Sequence, residues 1–215
     1  MRKLFGYFRS SAAYRVRIAL NLKGLDYEQA FIHLTKNGGE QFAPEYRALN
    51  AQALVPVFQE DSATLTQSLA IIEFLDETYP EPSFLPKFIA ARARVRSLAL
   101  MVACEIHPLN NVRVLRYLVN DLKLSEDQKN QWYRHWVETG LAPLESRLAN
   151  EQETGEFCHG DAPGLADICV VPQLANARRF NIPLEGFPTL IRIEQNCIAL
   201  KAFQDAAPSA QPDFE

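Results

Sequence analysis

The sequence has little that would tie it to a membrane, a metal or a nucleic acid. No apolar run approaches the roughly 20 residues that a membrane-spanning helix needs, so no membrane segment is expected. With 22 Lys and Arg against 26 Asp and Glu, the formal charge is −4. Without a basic excess there is no general electrostatic pull toward nucleic acid. The four cysteines, Cys104, Cys158, Cys169 and Cys197, form no CxxC pair, and none has a histidine at zinc-like spacing. Cys158 and His159 are adjacent, which suits a metal poorly, so no metal site is expected. Four reduced, mostly buried thiols in a cytoplasmic protein are the expected state. Patterns of the GxSxG, P-loop, HExxH and helix-preceding GxGxxG types are missing, which removes the common hydrolase, nucleotide and zinc-protease readings. The start, MRKLFGYF, is basic and then apolar, but too short for a signal peptide and without a small-residue cleavage site; it reads as a first strand.

What is present is 215 residues, 47% of them hydrophobic and 22% charged, enough for one large or two small globular domains. Residues 1–80 alternate short strands and helices. KLFGYF (Lys3–Phe8) predicts a strand, and Ser10 or Ser11 can cap a helix ending near Gly24. YEQAFIHL predicts a second strand, KNGGEQ a turn and FAPEYRALN a short irregular helix. LVPVFQ and ATLT predict two strands joined by the polar EDS turn. Ser68, Ile71, Ile72, Leu75 and Tyr79 then mark one face of a helix stopped by Pro80. The first βαβ unit requires a crossover and so a parallel pair, while the last two strands can form a hairpin. PEPSFLP is a stiff connection. Beyond it the strand signals fade. Helical stripes run from Val95 to Leu109 and from Trp132 to Leu148, then through 165–180 and again after Pro188. The expected boundaries are 1–82 for an α/β domain and 88–215 for an all-helical one, with the tail AAPSAQPDFE frayed.

Three stretches of the first domain could carry chemistry. In RSSAAYRVRIAL, two hydroxyls stand at a strand-to-helix turn. They can simply cap the helix, with Arg15 and Arg17 solvated, or the hydroxyl and helix N-terminus can stabilise a thiolate. No cysteine lies in this stretch, so such a thiol would come from a ligand. In LVPVF, a proline inside a strand pattern marks an edge, or a cis Val55–Pro56 bond that turns the Val55 backbone outward for an extended peptide-like ligand. In TQSLAIIEFL, Gln67 and Ser68 form either a plain cap or an anion site. The second domain adds EIHPLNNVRVLRYL, in which Pro108 should kink one helix and His107 and Asn111 share a face, with Arg113 nearly opposite. NARRF adds an arginine pair near a helix end, which is either ordinary C-terminal charge pairing or a site.

The segments YFRSSAAYRVRIALNLKG, GGEQF, ALVPVF, TQSLAIIEFLDETYP, IHPLNN, GDAPGLADICVVPQLANARRF and AAPSAQPD occur in order along nearly the whole chain. In this combination the chain resembles the zeta-class glutathione transferases. The resemblance implies an α/β thioredoxin-like N-terminal domain plus an all-α C-terminal domain, usually as a homodimer, with glutathione as cofactor. It assigns Ser10 as the donor to the glutathione sulfur. Ser11, Gln41, Val55, Gln67, Ser68, His107 and Asn111 would line the glutathione site. Arg9, Arg113 and Arg179 would receive the carboxylates of a small dicarboxylate substrate, with Arg15 and Arg178 as further local positive charge. Two departures stand out. Ala12 replaces a cysteine common in the class, and Gly164 replaces the usual Ser or Thr helix cap, with Asp167 still at the third helical position. Glycine caps acceptably, so little loss is expected.

The activity implied is cis-trans isomerisation of maleylacetoacetate in tyrosine and phenylalanine breakdown. The thiolate adds to a conjugated double bond, rotation follows, and the thiolate leaves. The same chemistry on maleylpyruvate, a general conjugating transferase, and a non-catalytic interaction protein on the same fold are the alternatives. The joint presence of RSS, VP and QS speaks against the last.

Overall fold

The computed structural model describes all 215 residues, Met1–Glu215. Its contacts divide the chain into two compact units, Met1–Ser83 with Ile198–Glu215, and Phe84–Cys197.

The first unit follows the order β1 (Arg2–Gly6), α1 (Ser11–Leu22), β2 (Glu28–Phe31), α2 (Pro44–Leu49), β3 (Val57–Glu60), β4 (Ala63–Thr66) and α3 (Ser68–Thr78). The sheet order is β2-β1-β3-β4. β1 pairs with β2 in parallel, with Leu4 opposite Gln29. It pairs with β3 antiparallel, and β3 with β4 likewise. Both pairings follow the connection rule: α1 is the crossover that a parallel pair needs, and Asp61–Ser62 is short enough for a hairpin only. Gly24, at φ +65°, ends α1 with a left-handed turn, and the Leu25 N–H returns to the Leu20 carbonyl at 3.0 Å. The α3 stripe lies as its spacing predicts: Ile71, Ile72 and Leu75 are buried together with Leu4, Val16, Leu20 and Phe58.

The second unit is helical: α4 (Ile89–Leu100), α5 (Val112–Asn120), α6 (Glu126–Asn150), α7 (Leu165–Arg179) and α8 (Pro188–Ile198). The single kinked helix expected through Pro108 does not form. α4 widens into a π-helical segment, Met101–Ile106, in which the His107 N–H bonds the Val102 carbonyl at 2.9 Å. A short 3₁₀ turn, Pro108–Asn110, follows. Asn111 then adopts an extended backbone and caps α5, its side-chain oxygen accepting from the Arg113 N–H at 3.1 Å. Pro108 has no N–H to give and its ring crowds the preceding turn, so the chain restarts rather than bends. His107 and Asn111 therefore do not share one continuous helix face.

At the start of α7, Asp167 does what the sequence left it to do. Its carboxylate accepts from the Gly164 N–H at 2.9 Å and the Cys158 N–H at 2.8 Å. Gly164 also fits its place sterically, because a Cβ there would sit 2.8 Å from the Phe84 carbonyl oxygen, which accepts from the Leu165 N–H.

The C-terminal residues are not frayed. α9 (Lys201–Ala206) packs on α1, and Gln211 is buried. The cause is Arg17, which is not solvated but 2% exposed. A buried guanidinium must be supplied with acceptors, and it donates to the Ala206 carbonyl at 2.9 Å and the Phe8 carbonyl at 3.2 Å. Burial also pulls its pKa down to about 10.

The π-helical segment is fitted against α6 at Gly140, where an added Cβ would meet Ile106 Cγ1 at 2.2 Å. Gly140→Ala should therefore destabilise the chain by about 1–3 kcal/mol in urea unfolding, despite alanine's better helix propensity, because the added methyl overlaps the fully buried Ile106 side chain.

Candidate active site

Two helix N-termini in the first unit carry the polar residues singled out in the sequence. Ser10 is the N-cap of α1, and its Oγ accepts the Ala13 N–H at 3.2 Å. A hydroxyl has one proton and two lone pairs, so the cap leaves the Ser10 proton to donate elsewhere. Ser10 is half-buried, whereas Ser11, the first helical residue, is 5% exposed and turned into the unit. The first turn of α1 holds no acidic side chain, so no carboxylate of the helix itself neutralises its positive end.

The N-terminus of α3 is similar. Gln67 precedes it with φ +69° and gives no side-chain cap. A side-chain-bearing residue seldom adopts that conformation without a local reason. Its amide donates to Gln52 Oε1 at 2.8 Å. Ser68 is buried and accepts from the Arg15 guanidinium at 3.3 Å. Arg15, expected on the solvated face, is 1% exposed and links α1 to α3. The first turn of α3 also lacks an acidic residue. Two such helix N-termini can take an anion at one and a thiolate at the other.

Val55 stands just ahead of the sheet ladder, which begins at Val57, and the Val55–Pro56 bond is cis. The approach to it is pinned at Leu54, whose carbonyl accepts from the Tyr46 hydroxyl at 2.7 Å and from Asn50 Nδ2 at 2.8 Å. Gln41 is placed differently from the others. It is 2% exposed, donates to the Leu34 carbonyl at 3.4 Å and wraps Gly39, whose φ is +114°. Its Oε1 is buried without a partner. Arg9 is exposed, its guanidinium 4.9 Å from the Phe8 ring centroid.

In the second unit, His107 closes the π-helical segment, Asn111 caps α5 and Arg113 lies exposed in its first turn. Arg179 ends α7 and stands over the Phe180 ring at 4.7 Å. With Asp127, Gln131, Arg134 and Asn181 it lines a polar cavity of about 570 Å³. It also bonds the Tyr133 hydroxyl, which burial pushes up to about 12 and Arg179 draws back down. Neither Tyr133 nor Arg134 was marked by the sequence, because the stripe through Trp132 and Trp136 drew attention to other positions. Arg178, expected as spare positive charge, is committed to a two-point pair with Glu194.

Two of the chain's own thiols, Cys158 and Cys197, are not poised to react. Burial pushes Cys158 and Cys197 well above the ordinary thiol range, reinforced by the Asp167 carboxylate. Neither is a nucleophile at neutral pH.

Residues 4–83 match the family model described as glutathione S-transferase, N-terminal domain. A probable maleylacetoacetate isomerase of Vibrio cholerae is 50% identical, over 98% of this chain and 97% of its own. The holo structure of a maleyl pyruvate isomerase, described as a bacterial glutathione-S-transferase in zeta class, superposes with a TM-score of 0.96 at 43% identity, covering 99% of this chain and 100% of that one. A maleylacetoacetate isomerase from Methylobacterium extorquens AM1 with bound malonate and GSH gives 0.96 at 42% identity, over 99% of both chains.

Thiol titration checks the placement of the cysteines. In the native protein an aromatic disulfide reagent should find no more than one reactive thiol, Cys104, which is the exposed one. The other three should appear only after denaturation.

Proposed function

Because the chain belongs to the zeta class of the glutathione transferase family, we propose that it isomerises maleylacetoacetate to fumarylacetoacetate, with glutathione as a cofactor that is returned each turnover. The observation that carries the reading is the pairing of a half-buried N-cap hydroxyl, Ser10, with a second helix N-terminus, this one without a side-chain cap, at Gln67–Ser68. The donor set suits glutathione: a peptide-like body for the Val55 backbone, a carboxylate for the α3 end and a sulfur for Ser10. Bound glutathione supplies a thiolate whose reversible addition lets a double bond turn as a single bond.

The chain has three tasks in that reaction. Ser10 donates its free proton to the sulfur, and the α1 N-terminus adds positive potential, so the thiol ionises below its ordinary value of about 8.5. The cap on Ala13 holds the hydroxyl to one rotamer while it does so. Val55 and the α3 end fix the cofactor's direction, so the sulfur stays at one place. Arg9, Arg113 and Arg179 are the arginines we assign to the substrate's two carboxylates and to the negative charge that develops on addition. Arg15, Arg17 and Arg178, by contrast, are engaged with Ser68, with the Phe8 and Ala206 carbonyls and with Glu194.

Two copies of the chain pairing as a homodimer are part of the same proposal. Phe88 and Ile89, 81% and 86% exposed, and Leu100 on α4 give an apolar strip suited to a second copy. A cytoplasmic location accords with the free cysteines, and no helix is long and apolar enough to cross a membrane.

Ultraviolet spectra of maleylacetone with the enzyme should show isomerisation that requires glutathione yet leaves free thiol constant. Stoichiometric thiol loss would instead mark a conjugating transferase. Running maleylpyruvate alongside gives the ratio of kcat/KM, expected to favour the maleylacetoacetate analogue. Ser10→Ala should lower kcat/KM about 10- to 150-fold, the value of a hydrogen bond to a charged group, whereas Ser11→Ala should cost under about threefold. Equal losses in the two variants would remove Ser10 from its role.

A further inference from the structure

The motif ending QPDFE has no part in the reaction as described, yet it touches the catalytic turn. Asp213 Oδ2 accepts the Phe8 N–H at 3.0 Å, and the Phe214 ring meets the Phe8 ring edge-on at 5.5 Å. Phe8 lies two residues before Ser10 and is 1% exposed, so its N–H has no water to turn to. On its other side the Phe8 carbonyl takes the Arg17 guanidinium at 3.2 Å, and the Ser10 N–H closes the turn onto the Tyr7 carbonyl at 2.9 Å. Removing Asp213 would leave a buried donor unsatisfied at the one place where Tyr7–Ser10 has no ladder or helix to hold it.

The segment that carries Asp213 is itself anchored. Gln211, buried, donates to the Asp205 and Ala207 carbonyls at 2.8 and 2.9 Å. Asn21 donates to the Ala202 carbonyl at 3.0 Å. Beyond Asp213, the Glu215 carboxylate pairs with Lys36 and lies 3.6 Å from His33, at the start of the loop that leads to Gln41. The C-terminal residues thus reach both segments that carry proposed glutathione contacts, 8–11 and 33–41.

We propose that Asp213 is a positioning residue: its carboxylate fixes the Phe8 peptide, and through it the direction of the Ser10 hydroxyl and the α1 N-terminus toward the glutathione sulfur. This rests on the assignment of Ser10 as thiolate donor. Asp213 acts by accepting a hydrogen bond, not by its charge. A negative charge near a thiolate would oppose ionisation, and Arg17 stands close enough to Asp213 to offset it.

The test reads the ionisation of glutathione bound to the full chain, from the ultraviolet absorbance of the thiolate across pH, at a temperature well below unfolding. Asp213→Ala should reduce the thiolate fraction at pH 7 about three- to tenfold, and lower kcat more than it raises KM for glutathione. Asp213→Asn keeps an acceptor oxygen and should restore both to near the parent values. A thiolate titration unchanged in Asp213→Ala would overturn the proposal, as would an Asp213→Asn variant as impaired as the alanine. If the alanine variant fails to fold, amide exchange in the parent and in Asp213→Asn decides. A Phe8 N–H protected in both supports the role, and one exchanging at loop rates overturns it. Ser10→Ala separates the two levels: if it shifts the titration and Asp213→Ala does not, only the positioning role fails. If Ser10→Ala leaves the titration untouched, the thiolate assignment fails and this inference with it.

Discussion

Burying the Arg17 guanidinium is the constraint around which the first unit closes. A cation withdrawn from water is tolerable only with acceptors at hydrogen-bond distance, and α1 cannot supply them from its own backbone. The chain brings the Phe8 carbonyl from the turn before α1 and the Ala206 carbonyl from the end of α9. One side chain thereby joins the β1–α1 turn to the C-terminal segment. Arg15, two residues earlier and so on nearly the opposite side of the helix, does the same between α1 and α3 through Ser68. α1 is therefore held on two sides in its first half, and the Phe8 bond ties it to the turn that precedes it, which gives its N-terminus a fixed direction.

That fixed direction is what the proposed chemistry uses. A helix N-terminus is a weak, short-range source of positive potential, and it helps an anion only if the anion stays within its first turn. A single hydroxyl donor has the same limitation. Rigid mounting of both, with no acidic residue in the first turn to compete, makes a modest electrostatic source effective.

The second unit relies on comparable buried polar anchors. Asp167, 1% exposed, ties the 158–164 loop to the start of α7. Arg94 gathers Glu151, Thr154 and the Cys158 carbonyl, so the long connection between α6 and α7 is held at both ends. The π-helical segment is the exception to regular packing. It shows how Pro108 and Gly140 together set where His107 ends up.

Local rules determined much of this protein. The alternation of strand and helix signals, the parallel and hairpin pairings, the α3 stripe, the Ser10 cap and the Asp167 bond to the Gly164 N–H all follow from spacing and side-chain chemistry within a few residues. The quoted motifs carried the family, because their order along the chain is more specific than any one of them. Tertiary structure alone decided the rest. Arg15 and Arg17 read as solvated because nothing local announces that distant carbonyls and a serine will meet them. QPDFE read as frayed because its partners lie about 200 residues away in sequence, at Phe8 and Lys36. The break at Pro108 was visible, but whether the helix would bend or restart depended on the packing of Ile106 against Gly140. A residue's own neighbours fix its propensity; what it is buried against is fixed only when the chain has closed.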